Sequence, residues 1–193
     1  MEVIQLIIMA ELSTPVCDFN QKAHDFSLKG TDEKIWTLQD CAGPKGLLVM
    51  FICNHCPYVK AITKELVEDC NELKKIGINS VAICSNDFVN YPEDSFDNMI
   101  KFSKDNQFSF PYLHDDTQEI AKSYEAVCTP DFFGYNKNLE LQYRGRLREL
   151  KKFIPVTDGE SDLLKAMRQI AETGKGPHKQ IPSAGCGIKW KFD

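Results

Sequence analysis

The sequence predicts an α/β domain with a mixed central sheet and helices on both faces. Three observations predict it. Two continuous apolar runs, 46–52 and 78–85, have the length of buried strands. An amphipathic stretch lies between them, which makes a strand–helix–strand unit with parallel strands and a right-handed crossover. Short alternating strands flank this unit on both sides. The whole chain, 1–193, reads as one domain, with residues 1–10 as an N-terminal arm and 175–193 as a C-terminal tail.

Each element has its own justification. Residues 24–29 ("HDFSLK") and 34–38 ("KIWTL") alternate polar and apolar side chains around "GTDE", which predicts an N-terminal β-hairpin. "GLLVMFI" at 46–52 follows Gly43-Pro44-Lys45 and predicts a central strand. After it, Val59, Ile62, Leu66, Cys70 and Leu73 recur at three- and four-residue steps, with Lys60, Lys64, Glu68 and Glu72 on the other face. "INSVAICS" at 78–85 is the second buried strand. Phe96, Met99 and Ile100 mark a helix over 94–104. "DDTQEIAKSY" predicts another, capped by Asp116 with Glu119 three residues on. "DFFGYN" and "LELQYRG" form a second hairpin about Asn136-Lys137-Asn138. The last helix runs from about Glu160 to Thr173 and stops at Gly174. The Gly- and Pro-rich tail after it is expected to be irregular.

Composition narrows the function classes. The net charge of −5 and the lack of a basic stripe argue against a nucleic-acid partner. "MEVIQLIIMA" is a poor secretory signal and too short to cross a bilayer, so no membrane association is expected. Met9 is an alternative start to Met1. The eight cysteines sit in a chain long enough to build a core without staples. Cys70 and Cys84 fall inside apolar patterns as small core residues. This usage points to a cytoplasmic protein with most thiols reduced.

The chemistry concentrates in "MFICNHCPYVK", residues 50–60. The strand should end near Ile52 and the helix begin near Cys56, which puts Cys53 by the helix N-terminus. Unpaired N–H groups and the positive end of the helix dipole there favour thiolate over thiol. Spacing of three lets Cys53 and Cys56 close a disulfide. Pro57 fits the first turn, where its missing N–H costs little. A cationic His55 beside Cys53 would stabilise the thiolate further, by roughly 1.4 kcal/mol per pKa unit. A structural metal site usually needs four ligands, and only one Cys-x-x-Cys pair is present. A non-enzymatic metal or cluster module would need Cys128, Cys186 or His55 to complete the shell, so no metal is assigned.

"AHDFSL", "FICNHCPYVK", "CTPDFF", "YRGR" and "PSAGCGIKWK" together resemble a peroxiredoxin-like subgroup of the alkyl hydroperoxide reductase/thiol-specific antioxidant family, within the thioredoxin superfamily. The resemblance spans roughly residues 11–191. It implies a thioredoxin fold, thiol redox chemistry and no organic cofactor. It also implies that Thr129-Pro130 is a cis-proline pair opposite the thiols, presenting the Thr129 backbone to an extended substrate. Electrons would come from a dithiol protein or a small thiol, and the substrate would be a disulfide or a peroxide.

The resemblance leaves two reactions open. As a thiol-disulfide oxidoreductase, Cys53 attacks and Cys56 resolves. As a thiol peroxidase, Cys56 takes the peroxidatic place, but Val49 and Cys53 replace the usual proline and threonine that bind peroxide. Other readings concern single residues. Cys128 is either core or an exchange partner of the pair. Cys186 is either packing or a third redox thiol. Arg144, Arg146 and Arg148 read first as solvated, with Arg146 the candidate to activate a thiolate.

Overall fold

The computed structural model describes residues 11–192, so the N-terminal arm lies outside the described residues. In chain order, strands β1 (Glu11–Ser13), β2 (Ser27–Gly30) and β3 (Ile35–Thr37) precede the short helix α1 (Leu38–Cys41). Then come β4 (Gly46–Phe51), α2 (Pro57–Lys75), β5 (Ile78–Cys84), a 3-10 turn at Pro92–Asp94, and α3 (Phe96–Asp105). β6 (Tyr112–His114) and α4 (Glu119–Ser123) lead to β7 (Cys128–Thr129), β8 (Asp131–Asn136) and β9 (Leu141–Tyr143). The chain ends with β10 (Leu150–Lys151), β11 (Ile154–Pro155), α5 (Asp162–Thr173) and β12 (Ala184–Gly187).

The main sheet has seven strands in the order β3-β2-β6-β5-β4-β8-β9. β4 runs parallel to β5 and antiparallel to β8, with Val49 opposite Val81 on one side and Phe133 on the other. It is apolar at every position because both of its faces are covered. Alternation divides its side chains. Leu48, Met50 and Ile52 pack with α2 and α5, while Leu47, Val49 and Phe51 pack with Tyr124, Phe133 and Tyr135 on the other face. Each such fully buried side chain contributes about 1.5–3 kcal/mol relative to exposure. α2 lies on the first face through Val59, Ile62, Leu66, Cys70 and Leu73. The thiol motif is therefore held at the carboxyl end of the central strand by the largest packed layer. The fold is thioredoxin-like, with a mixed sheet and helices on both faces.

Three local expectations change. α4 is held by Asp115, whose carboxylate accepts from Ile120 and Ala121 backbone N–H, whereas Asp116 pairs with Lys191. The predicted start of α3 at residue 94 moves to Phe96, because Ser95 caps it. The tail is not irregular throughout. Residues 184–187 form β12, the middle strand of a separate β1-β12-β7 sheet. Among the described residues, no helix is long and apolar enough to cross a membrane.

Candidate active site

Beyond Phe51 the chain turns through Ile52-Cys53-Asn54-His55 before α2 begins. Pro57 occupies the first turn, and Cys56 is the N-cap with extended backbone (φ −65°, ψ 124°). The cysteine that adjoins the free amides of the helix is therefore Cys56, the N-cap itself, rather than Cys53 three residues before it. Cys53 lies behind it, with Sγ 3.4 Å from Thr129 Oγ1. Cys56 Sγ lies 3.1 Å from the Thr129 carbonyl oxygen and 3.2 Å from Cys186 Sγ. The peptide bond between Thr129 and Pro130 is cis.

This arrangement separates the thiols electrostatically. Hydrogen bonds from Cys186 and Cys53, and then the Val59 amide, hold Cys56 far below the ordinary thiol range. The Thr129 carbonyl opposes this, because it accepts only from a protonated Cys56. The direction is still down, because the Cys186 and Cys53 thiols outweigh burial. Cys53 is pushed well up by its bond to Cys56, by burial and by the Asp94 charge. Cys186 is pushed up mainly by its bond to Cys56. Cys53 is 1% exposed, Cys56 0% and Cys186 3%, so the reduced site is closed to solvent.

His55 does not face solvent freely. Its Nδ1 lies 2.6 Å from Asp94 Oδ2, and its ring stacks on Tyr91. That bond raises the His55 pKa. Asp94 is fully buried and also accepts from the Asn54 N–H at 2.7 Å and the Asn86 amide at 2.8 Å. Sequence reasoning missed Asp94, which sits in the turn after β5 with no local motif. Its negative charge offsets the support that a cationic His55 would give a thiolate at Cys53. Ligand atoms of Cys53, His55 and Asp94 lie within 4.8 Å of one another, but both Asp94 oxygens already accept hydrogen bonds. A cation would have to displace those donors.

The remaining candidates fall in three places. Cys128 is buried with Sγ 3.6 Å from the Pro130 carbonyl oxygen, and burial pushes its pKa up. Arg146 Nε pairs with Asp162 at 2.7 Å, so its charge is already matched. Arg144 is not a solvated residue. It is 6% exposed, its NH2 group lies 2.9 Å from the buried Asp131, and it stacks over Phe133. It anchors the segment after Pro130. A cavity of about 360 Å³ adjoins the cis-proline and the start of β12, and its lining includes Tyr58, Pro130, Phe132, Arg146, Arg148 and Ala184.

A profile of the AhpC/TSA family matches residues 19–149. The chain belongs to the AhpC/TSA family. Membership places it among oxidoreductases of the thioredoxin fold. The matched stretch holds Cys53, Cys56, Asp94 and Thr129, while Cys186 lies beyond it. The structure is similar to that of an uncharacterized conserved protein from Geobacillus kaustophilus, at 38% identity and TM-score 0.85, covering 96% of this chain and 98% of that one. It is also similar to a hypothetical protein from Sinorhizobium meliloti 1021, at 33% identity and TM-score 0.85, covering 94% and 98%. Peroxidoxin BcpB from Mycobacterium tuberculosis shares the fold at 13% identity and TM-score 0.56, covering 79% and 92%. A comparison with curated proteins finds no match.

Proposed function

We propose that this AhpC/TSA protein is a thiol-disulfide oxidoreductase of a reducing compartment, with Cys56 as the attacking thiolate and Cys53 as the resolving thiol. One observation carries this reading: Cys56 is the N-cap of α2 and its sulfur lies 3.2 Å from the Cys186 sulfur, while Cys53 lies three residues before it. The roles are the reverse of those expected from the spacing. Cys56 thiolate attacks one sulfur of a substrate disulfide. A mixed disulfide forms, the substrate S–S bond breaks, and the released sulfur takes up a proton. Cys53 then loses its proton and attacks the Cys56 sulfur. The Cys53–Cys56 bond forms, and the second substrate sulfur leaves and is protonated. The substrate gains two electrons, and an external dithiol or small thiol restores the pair without an organic cofactor. His55 and Asp94 lie within 4.8 Å of Cys53 and supply sites for its proton. The cavity beside Pro130 is the place for a substrate to dock, with Arg148 and Lys152 set against Glu11 in its lining.

The test is trapping. With a small disulfide substrate, a variant lacking both Cys53 and Cys186 should accumulate a mixed disulfide on Cys56, and Cys56→Ser should form no adduct. An adduct on Cys53 in Cys56→Ser would return the attacking role to Cys53. Stoichiometric metal in anaerobically purified protein would overturn the redox reading itself.

The closed site favours a second reading, thiol peroxidase, since a small oxidant reaches a buried sulfur more readily than a polypeptide does. Cys56 thiolate would attack the peroxide, giving Cys56 sulfenate and an alcohol or water; a neighbouring thiol would then form a disulfide and release water. Peroxide should produce a sulfenate on Cys56 in a variant lacking both Cys53 and Cys186. A variant that stays unoxidised removes this reading.

A further inference from the structure

The Cys-x-x-Cys pair has a third sulfur against it, and the chain has gone to some length to put it there. Cys186 sits at the middle of β12, opposite Thr129 on β7 and opposite Glu11 on β1. Its Sγ is 3.2 Å from Cys56 Sγ, against roughly 2 Å in a disulfide, so a shift of about 1 Å closes the bond. The glycines on either side make this approach feasible. A Cβ at Gly185 would fall 2.1 Å from the Thr129 carbonyl oxygen. A Cβ at Gly187 would fall 3.1 Å from Leu12 Cδ1. Gly-Cys-Gly is thus the sequence form of a strand pressed against the thiol loop. Gly185, Cys186 and Gly187 lie outside the stretch matched to the AhpC/TSA family, whereas Cys56 and Thr129, which they face, lie inside it.

We infer that Cys186 is a third redox thiol of this site, which exchanges into the Cys53–Cys56 disulfide to give a second oxidised state, Cys56–Cys186. The inference rests on the reading of Cys53 and Cys56 as a redox pair. The step is an isomerisation. The Cys186 sulfur attacks the Cys56 sulfur as its proton leaves. The 53–56 bond breaks and the 56–186 bond forms. Cys53 departs with the electron pair and takes up a proton. No oxidant or reductant is consumed. Cys56 is the shared sulfur of both states, consistent with its contacts to both neighbours.

The consequence is a site with two oxidised forms that differ in structure. The 53–56 bond lies within the loop. The 56–186 bond ties the C-terminal strand to the N-terminus of α2. Oxidation would then be stored across β12, the strand that separates β7 from β1. A polypeptide substrate pairing with β7 at Thr129 needs the edge that β12 now occupies, so the second state also keeps that edge covered.

The experiment is disulfide mapping. Full-length protein, Cys53→Ser, Cys186→Ser and Gly185→Ala are oxidised mildly with diamide, quenched in acid, alkylated and mapped by peptide mass spectrometry. Far-UV circular dichroism checks that each is folded. The full chain should yield both 53–56 and 56–186 peptides. Cys53→Ser should yield 56–186, and Cys186→Ser should yield 53–56. Gly185→Ala keeps every thiol but pushes β12 away, and should lower the 56–186 fraction by about fivefold or more, because disulfides tolerate little misplacement. Absence of 56–186 from the full chain, or an unchanged fraction in Gly185→Ala, overturns the inference. Absence of 53–56 in Cys186→Ser overturns the dithiol reading instead, so the two failures are told apart.

Discussion

The two ends of α2 each bury a cysteine beside a carboxylate, and they behave in opposite ways. At the N-terminal end, Cys56 is held low by the Cys186 and Cys53 thiols, and Asp94 accepts from three donors. Further along, Cys70 is pushed up to about 12 by burial, and Asp69 is pushed up to about 6 by the same cause, with the Ser161 hydroxyl as its donor. Burial is shared, so it cannot explain the difference. The number of donors at each sulfur decides it. A buried cysteine is an inert core residue unless the fold aims donors at its sulfur.

Removing the two sulfurs breaks this comparison most sharply. Cys56→Ser should lower reduction of a small disulfide by about a thousandfold or more, as expected for loss of an essential nucleophile. Cys70→Ala should leave that rate within about twofold and cost about 1 kcal/mol of stability, a small core truncation. Equal losses of activity would mean that α2 matters only as a scaffold. The same proteins, titrated by ultraviolet thiolate absorbance, should differ in one step. The lowest step should vanish in Cys56→Ser and persist in Cys70→Ala.

The next effect concerns His55, which is raised by its bond to Asp94. A raised folded pKa gives stability that is full below the unfolded value of 6.5 and is lost as pH rises through the folded value. His55→Gln should therefore lose more stability at pH 6 than at pH 9, because the pair with the buried Asp94 is an ion pair only while the imidazole is protonated. Urea unfolding at the two pH values measures it. A gap that does not change with pH would mean that His55 acts by packing alone.

Much of the fold was legible in the sequence, because βαβ units write themselves as apolar runs with the right periods. Six strands of the seven-stranded sheet lie in segments the pattern marks out; β6, which joins β2 to β5, was not marked because it is only three residues long. The site was legible in part. Pro57 marks the first helical turn, so the N-cap at Cys56 had a signal, but the spacing drew attention to Cys53. Asp94 had none: its partners are Asn54, His55 and Asn86, and only the return of β5 beside β4 brings them together. Arg144 read as solvated because its partner Asp131 lies on the other strand of the hairpin. β12 was hidden by its own glycines. They weaken the strand signal, yet they are what admits the strand against Thr129.

Asp69 sharpens the comparison with a smaller effect. Its carboxylate accepts from the Ser161 hydroxyl at 2.5 Å, and Ser161 in turn accepts from the Leu164 N–H and caps α5. Burial raises Asp69 from 3.8 to about 6. The stability it gives is full below pH 3.8 and is lost as pH rises through about 6, so at neutral pH it is a buried charge held at a cost. Asp69→Asn keeps an oxygen for Ser161 and removes the charge. It should stabilise the protein at pH 7 by about 1–2 kcal/mol, less than the roughly 3 kcal/mol of the full shift because the amide carries its own desolvation cost. It should also flatten the fall in stability between pH 4 and 6. A variant that is less stable at pH 7 would mean that the ionised carboxylate holds Ser161 better than an amide does. The shared burial of the two ends of α2 would then conceal a second well-supported carboxylate rather than an unsupported one.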